Sequence, residues 1–159
     1  MLTEEQLRSM LSDLESDRVE RTVSVSNTDK FGQAICAFAN DFPNHQKAGY
    51  LIIGASGSGK TVFMKCLVTD DLLQNLAALR SDGNIQPLPA ITVSKHALAE
   101  GDLAVVEVLP SDLPPVRYKG KVWIRVGPRR AAASEQEERL LSERRISFAR
   151  SFDALPCLE

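Results

Sequence analysis

Residues 54–61 read Gly-Ala-Ser-Gly-Ser-Gly-Lys-Thr and follow the apolar run Tyr50–Ile53, a complete match to the phosphate-loop pattern G-x-x-x-x-G-K-S/T. In that pattern a glycine-rich turn leads from a strand into a helix whose N-terminal N–H groups face phosphates. The lysine, here Lys60, neutralises the outer phosphates, and the hydroxyl, here Thr61, holds Mg²⁺. The residues that follow, Thr61–Val68, are rich in β-branched and aromatic side chains and stop at Thr69-Asp70-Asp71, which reads as a helix start. The stretch therefore fits a helix or a strand. On the first reading Gly54, Gly57, Gly59, Lys60 and Thr61 bind ATP or GTP. On the second, Gly57–Lys60 is a hairpin turn, with glycine there for positive φ. A motor NTPase also needs an acid after an apolar strand. The position of that kind, Glu107, lies inside Leu103–Leu109 and reads as the water-facing side of a strand alternation.

At 159 residues the chain is expected to fold as one domain with its own core. No stretch approaches the roughly 20 apolar residues of a membrane span. The N-terminus carries no basic-then-apolar leader, so a cytoplasmic protein without a membrane partner is expected. Cys36, Cys66 and Cys157, with His45 and His96, make no zinc spacing and read as incidental thiols. Net charge is −2, but its distribution is uneven. Residues 113–150 hold ten basic against four acidic side chains, whereas residues 1–30 hold four basic against seven acidic.

Thr3 and Gln6 form a capping box ahead of Leu7, Met10, Leu11 and Leu14 at helical spacing. Residues 18–25 read as a strand with Val19, Val23 and Val25 on one face and Glu20, Thr22 and Ser24 on the other. A helix from Asn27 or Thr28 buries Phe31, Ala34, Ile35 and Phe38 and is broken at Asp41–His45 around Pro43. A third helix runs from Asp70 to about Arg80, with Leu72, Leu73, Leu76 and Leu79 inward. Strands are expected at Ile91–Val93 and Leu103–Leu109, with a hairpin over Val116–Val126 turning at Lys119-Gly120. A second capping box, Ser134 to Glu137, opens a last helix reaching about Phe148, whose mixed charges read as a solvated face. The order of elements predicts an α+β fold: one compact domain, a mixed sheet with β-hairpins packed by three to four helices.

Four blocks in this order, Glu15–Glu20, Ala34–Asn40 running into Gly49–Gly54, Val68–Leu73, and Pro115–Tyr118 with Val122–Arg130, resemble the Schlafen AlbA-like domain family, also described as a divergent AAA domain. The likeness spans roughly residues 15–145. It divides the chain into an N-terminal helix (1–14), the domain (15–150) and a tail (151–159). It implies binding of nucleic acid, DNA or RNA, as in predicted bacterial transcriptional regulators, and favours the hairpin for Gly57–Lys60. Schlafen proteins clasp nucleic acid between two such domains, which implies a homodimer here. Some members cleave RNA with Mg²⁺ or Mn²⁺ through a Glu-x₄-Glu pair, which falls on Glu15 and Glu20. The third acid of those members falls at Ala55–Gly57, and a lysine after the pair is replaced by Thr22.

From the residues themselves, Arg117, Lys119, Lys121 and Arg125 alternate on the expected hairpin and Arg129 and Arg130 follow at its exit, a pattern suited to phosphate contacts. Tyr118 or Trp123 is placed to stack on bases, although Trp123 also reads as core. The preferred expectation is a nucleic-acid-binding domain of a transcriptional regulator using these six cations. The alternatives are a phosphate-loop nucleotide binder, a metal-dependent nuclease with a degenerate acidic site, and a protein-interaction or dimerisation module presenting its last helix.

Overall fold

The computed structural model describes residues 2–12, 17–55 and 68–154, with side chains through residue 147. Along these residues the chain forms α1 (Glu4–Ser12), β1 (Val19–Thr22), α2 (Thr28–Asn40), β2 (Gly49–Ile53), α3 (Asp70–Ala78), β3 (Ile85–Gln86), β4 (Ile91–Leu98), β5 (Gly101–Val108), β6 (Arg117–Tyr118), β7 (Lys121–Val126), β8 (Arg129–Ala132) and α4 (Glu135–Ala154). The expected α+β class is the observed one, with two sheets in place of one. The first is mixed, in the order β1-β2-β5-β4, and the second is antiparallel, in the order β3-β6-β7-β8.

The arrangement follows from α2. From Phe31 to Asn40 all its residues but Gln33 are buried, and a helix apolar around its circumference has to be enclosed. One side of α2 meets Leu51, Ile53, Val106 and Val108 of the first sheet, and another meets Val116, Tyr118 and the half-buried Trp123 of the second. Helix α2 is also the crossover that lets β1 and β2 pair in parallel. Helix α1 covers the other face of the first sheet, placing Leu7 and Leu11 against Ile52, Leu103 and Val105. Helix α3 packs by β4, and Leu141 of α4 closes Val122 and Ile124 on the outer face of the second sheet.

Both predicted capping boxes form reciprocally: Thr3 with Gln6, and Ser134 with Glu137. Asn27 and Thr69 cap α2 and α3 through their side chains. The turn at Lys119-Gly120 has positive φ at both residues (48° and 81°) between the paired Tyr118 and Lys121, as a two-residue hairpin loop requires. Gly32 is needed for a different reason. A Cβ there would stand 2.2 Å from the Tyr118 ring, so glycine lets the ring lie on the helix backbone.

Several expectations are corrected. The strand at 18–25 ends at Thr22, and Val23 and Val25 are exposed instead of buried. The face expected to meet water is covered as well: Glu20 and Thr22 are buried alongside Leu51 and Ile53, beneath the second sheet. Glu107 is half-buried opposite Tyr50 and Thr92, not simply solvated. Strands β3 and β8 were not anticipated, β4 extends to Leu98, and α4 continues past Phe148 to Ala154. The alternative between helix and hairpin over residues 56–67 lies outside the described residues.

Asn40 joins α2 to the second sheet through the backbone. Its Oδ1 accepts from Val116 N (2.6 Å), while Nδ2 donates to Val116 O (3.0 Å) and Trp123 O (2.7 Å). Removing a buried partner leaves donors and acceptors unsatisfied at about 1–3 kcal/mol each. Asn40→Ala is therefore expected to cost about 3 kcal/mol in urea unfolding; a loss too small to shift the midpoint would contradict this role.

One turn earlier, Cys36 Sγ lies 3.1 Å from the same Val116 carbonyl, and burial pushes its thiol from 9.0 up to about 12. An unfolded thiol ionises near 9.0, so this contribution to stability is complete below pH 9 and is lost as pH climbs toward 12. Alkylation at pH 9 should modify Cys36 only after unfolding; ready labelling of the native protein would show the site to be open.

Candidate nucleic-acid interface

The hairpin turn decides where the predicted cations point. Because it resets the alternation, Arg117 lies opposite Val122 on the face toward α4, whereas Trp123 and Arg125 face α2. Arg117 Nη1 is 3.4 Å from Glu138 Oε1 on α4. Arg125 is only 1% exposed: its guanidinium stacks on Phe38 (5.1 Å) and donates to Val19 O and Pro128 O. Arg130, across from Arg125 in β8, donates to Lys30 O and to Gln33 Oε1 on α2.

Both of these arginines converge on Glu20. Its Oε1 is 3.3 Å from Arg125 Nη1 and 2.9 Å from Arg130 Nε, and Oε2 is enclosed with no hydrogen-bond partner among the described residues. The residue expected to be catalytic is thus the counter-ion for two residues expected to bind phosphate. Glu15 lies outside the described residues. Of the stretch where the third acid falls, Ala55 is wholly buried and Ser56 and Gly57 lie outside the described residues. Among the described residues no group of three His, Cys, Asp or Glu side chains is gathered for a metal ion. A carboxylate held between two guanidinium groups is a poor ligand for Mg²⁺ or Mn²⁺.

The other expected cations stand on the surface. Lys119 is 2.8 Å from Asp29 Oδ1, which also accepts from Tyr118 OH (2.7 Å). The Lys119 hydrogen bond, then that of Tyr118, holds the Asp29 carboxyl below its usual range, and Asp29 in turn raises Lys119. Burial first, then Asp29, raises the Tyr118 phenol. Lys121 is exposed over the Trp123 ring at 5.8 Å, and Arg129 is exposed at the β7–β8 turn. Among the six predicted cations, Lys119, Lys121 and Arg129 are the exposed ones.

Charge counting alone missed other structural uses of arginine. Arg144 Nη1 donates to Asn40 O and Asp41 O, and Nη2 to Phe42 O, so it caps the C-terminus of α2. The i,i+4 pattern of α4 gives no hint of this partner, which stands a hundred residues away.

The nucleotide loop is described only at its start. Gly54 has φ 111° and donates its N–H to Thr22 O (2.7 Å), extending the β1–β2 pairing by one bond. Gly57, Gly59, Lys60 and Thr61 lie outside the described residues.

A family model for Schlafen, AlbA_2 matches residues 15–134. The chain belongs to this family. The N-terminal domain of a protein from Nitrosomonas europaea, related to the ATP-dependent DNA helicase RecG, has the same fold, with a TM-score of 0.59 at 20% identity over 86% of this chain and 93% of that one. The DIP2311 protein from Corynebacterium diphtheriae is similar in fold, with a TM-score of 0.58 at 15% identity over 87% of this chain, which spans only 28% of that protein. No curated protein matches the sequence. Among the described residues no helix is long and apolar enough to cross a membrane.

In this AlbA_2 domain the role of Glu20 can be separated from catalysis. Glu20→Gln keeps the shape but removes the carboxylate that the buried Arg125 and the half-buried Arg130 share, and breaking a buried ion pair in this way costs about 3–5 kcal/mol. Chemical denaturation should show a loss of that size with no metal present. Unchanged stability would mean that the ion triad does not hold the sheets together.

Proposed function

We propose that the chain binds nucleic acid through the rim of its second sheet, where Lys119, Lys121 and Arg129 are exposed. The observation that carries this reading is their placement. Once Glu20 has taken Arg125 and Arg130, Glu138 has engaged Arg117 and Asp29 has engaged Lys119, Lys121 and Arg129 are the cations of the predicted set that pair with no carboxylate among the described residues, and they stand at opposite ends of β7. Strand β7 is fixed between α2 and α4, so these charges sit on a scaffold that need not reorganise when it meets a phosphate backbone. The half-buried Trp123 under Lys121 adds an aromatic edge to the same surface. Family membership and the fold likeness to a domain of a DNA-helicase-related protein support the assignment.

The test is anisotropy of a labelled oligonucleotide over a salt series. Each phosphate contact adds about 0.7–0.9 to the slope of log affinity against log salt. Lys121→Ala with Arg129→Ala should weaken binding about tenfold and lower that slope by about 1.5. Equal affinity and slope in the double variant would sink this surface.

A further inference from the structure

Helix α4 runs for 20 residues, about 30 Å, yet the body of the protein holds little of it. Between Glu135 and Ser147 only Leu141 is wholly buried, against Val122 and Ile124, and Glu137, Glu138, Ser142 and Arg144 are half-buried around it. Arg145 stands one turn beyond Leu141 on the same side of the helix, where the second sheet would have to cover it, and it is exposed. Ile146 and Ser147 are exposed as well, so three successive residues, which point to different sides, all meet solvent. The body therefore ends at Arg144, which closes the contact by donating to the carbonyls of Asn40, Asp41 and Phe42.

Beyond that point the backbone stays helical to Ala154. Local preference does not account for this: six of the ten residues 145–154 are Ile, Ser, Phe or Asp, weaker helix formers than Ala or Arg. Most helix stability in proteins comes from packing one face on a neighbour. On the outward side, Leu140 and Ile146 are 49% and 51% exposed, and Glu143 lies between them, three residues from each.

The charges of the helix say which neighbour fits. Residues 135–142 hold three acids and one base, and residues 143–150 hold one acid and three bases. That order suits the helix dipole, and it also makes the helix complementary to itself turned end for end. Glu135, Arg139, Glu143 and Arg145 are exposed and make no ion pair among the described residues, although the first three follow one another at i,i+4.

We propose that two copies of the chain pair through α4, antiparallel about a two-fold axis, with the acidic first half of each helix along the basic second half of the other and with Leu140 and Ile146 at the contact. A parallel pair would set like charge on like. The surface does not include Lys121 or Arg129, so pairing and nucleic-acid binding can fail independently.

Sedimentation velocity of the full chain alone, from about 1 to about 100 µM, tests this, with a dimer dissociating inside that range expected for a small interface. Leu140→Asp with Ile146→Asp, both at exposed positions, should weaken pairing at least about tenfold. Glu135→Arg and Arg145→Glu, made separately, should each weaken it about tenfold, and an equimolar mixture of these two variants should recover the original affinity. In the mixed pair both repulsive contacts become attractive, a rescue that a misfolded variant cannot give. A chain still monomeric at about 100 µM overturns the assignment. So does a dimer indifferent to Leu140→Asp with Ile146→Asp, or a mixture that pairs no better than its components.

Discussion

One carboxylate oxygen, Glu20 Oε1, faces guanidinium groups from two strands of another sheet, and the alignment of the two halves of the protein depends on it. A carboxylate taken out of water is tolerable only with a cation beside it, because a buried charge alone carries a desolvation penalty of several kcal/mol. The penalty makes the contact directional. Sliding β1 along β2 by one residue would turn Glu20 to the α1 face, away from Arg125 and Arg130. Apolar packing around α2 would tolerate such a slip far better. Asn40 adds a second directional constraint, since its amide fits the backbone at both Val116 and Trp123. Burial on α2 drives the two sheets together, and these two polar residues fix how they meet.

The triad also changes the meaning of the basic C-terminal half. A surplus of six charges over residues 113–150 suggests a strongly positive surface. Much of it serves internal contacts: Arg125 and Arg130 on Glu20, Arg117 near Glu138, and Arg144 on the carbonyls that end α2. Arg21 does the same for α1, donating to Leu11 O at 2.7 Å. Arginine suits these places because its planar fork satisfies several acceptors at once. The three predicted cations left exposed include two lysines, compact hydrated charges suited to backbone phosphates.

What the sequence made legible was local. The capping boxes at Thr3 and Ser134, the inward residues of α2 and the turn at Lys119-Gly120 depend on neighbours within four positions, and each formed as expected. The polarity of β1 was misread because the rule that polar residues face water fails when their partners arrive from more than a hundred positions away. Nothing near Glu20 announces Arg125 or Arg130. Strands β3 and β8, two and four residues long, are too short to show a period, and without β8 the pairing of Arg125 with Arg130 could not be foreseen. The loop at 41–47 was legible as a break at Pro43, but not as a device that sets His45 beside Asp17.

The phosphate-loop match illustrates the same division. Its chemistry belongs to the place where a strand of a parallel sheet hands over to a helix, so that strand ends and the helix N-terminus face one crevice. Here β2 is parallel to β1 but antiparallel to β5, and its end at Ile53 continues into Gly54, whose N–H pairs with Thr22. Among the described residues the sheet is mixed, with β2 between one parallel and one antiparallel neighbour, and Gly57, Gly59, Lys60 and Thr61 lie outside them.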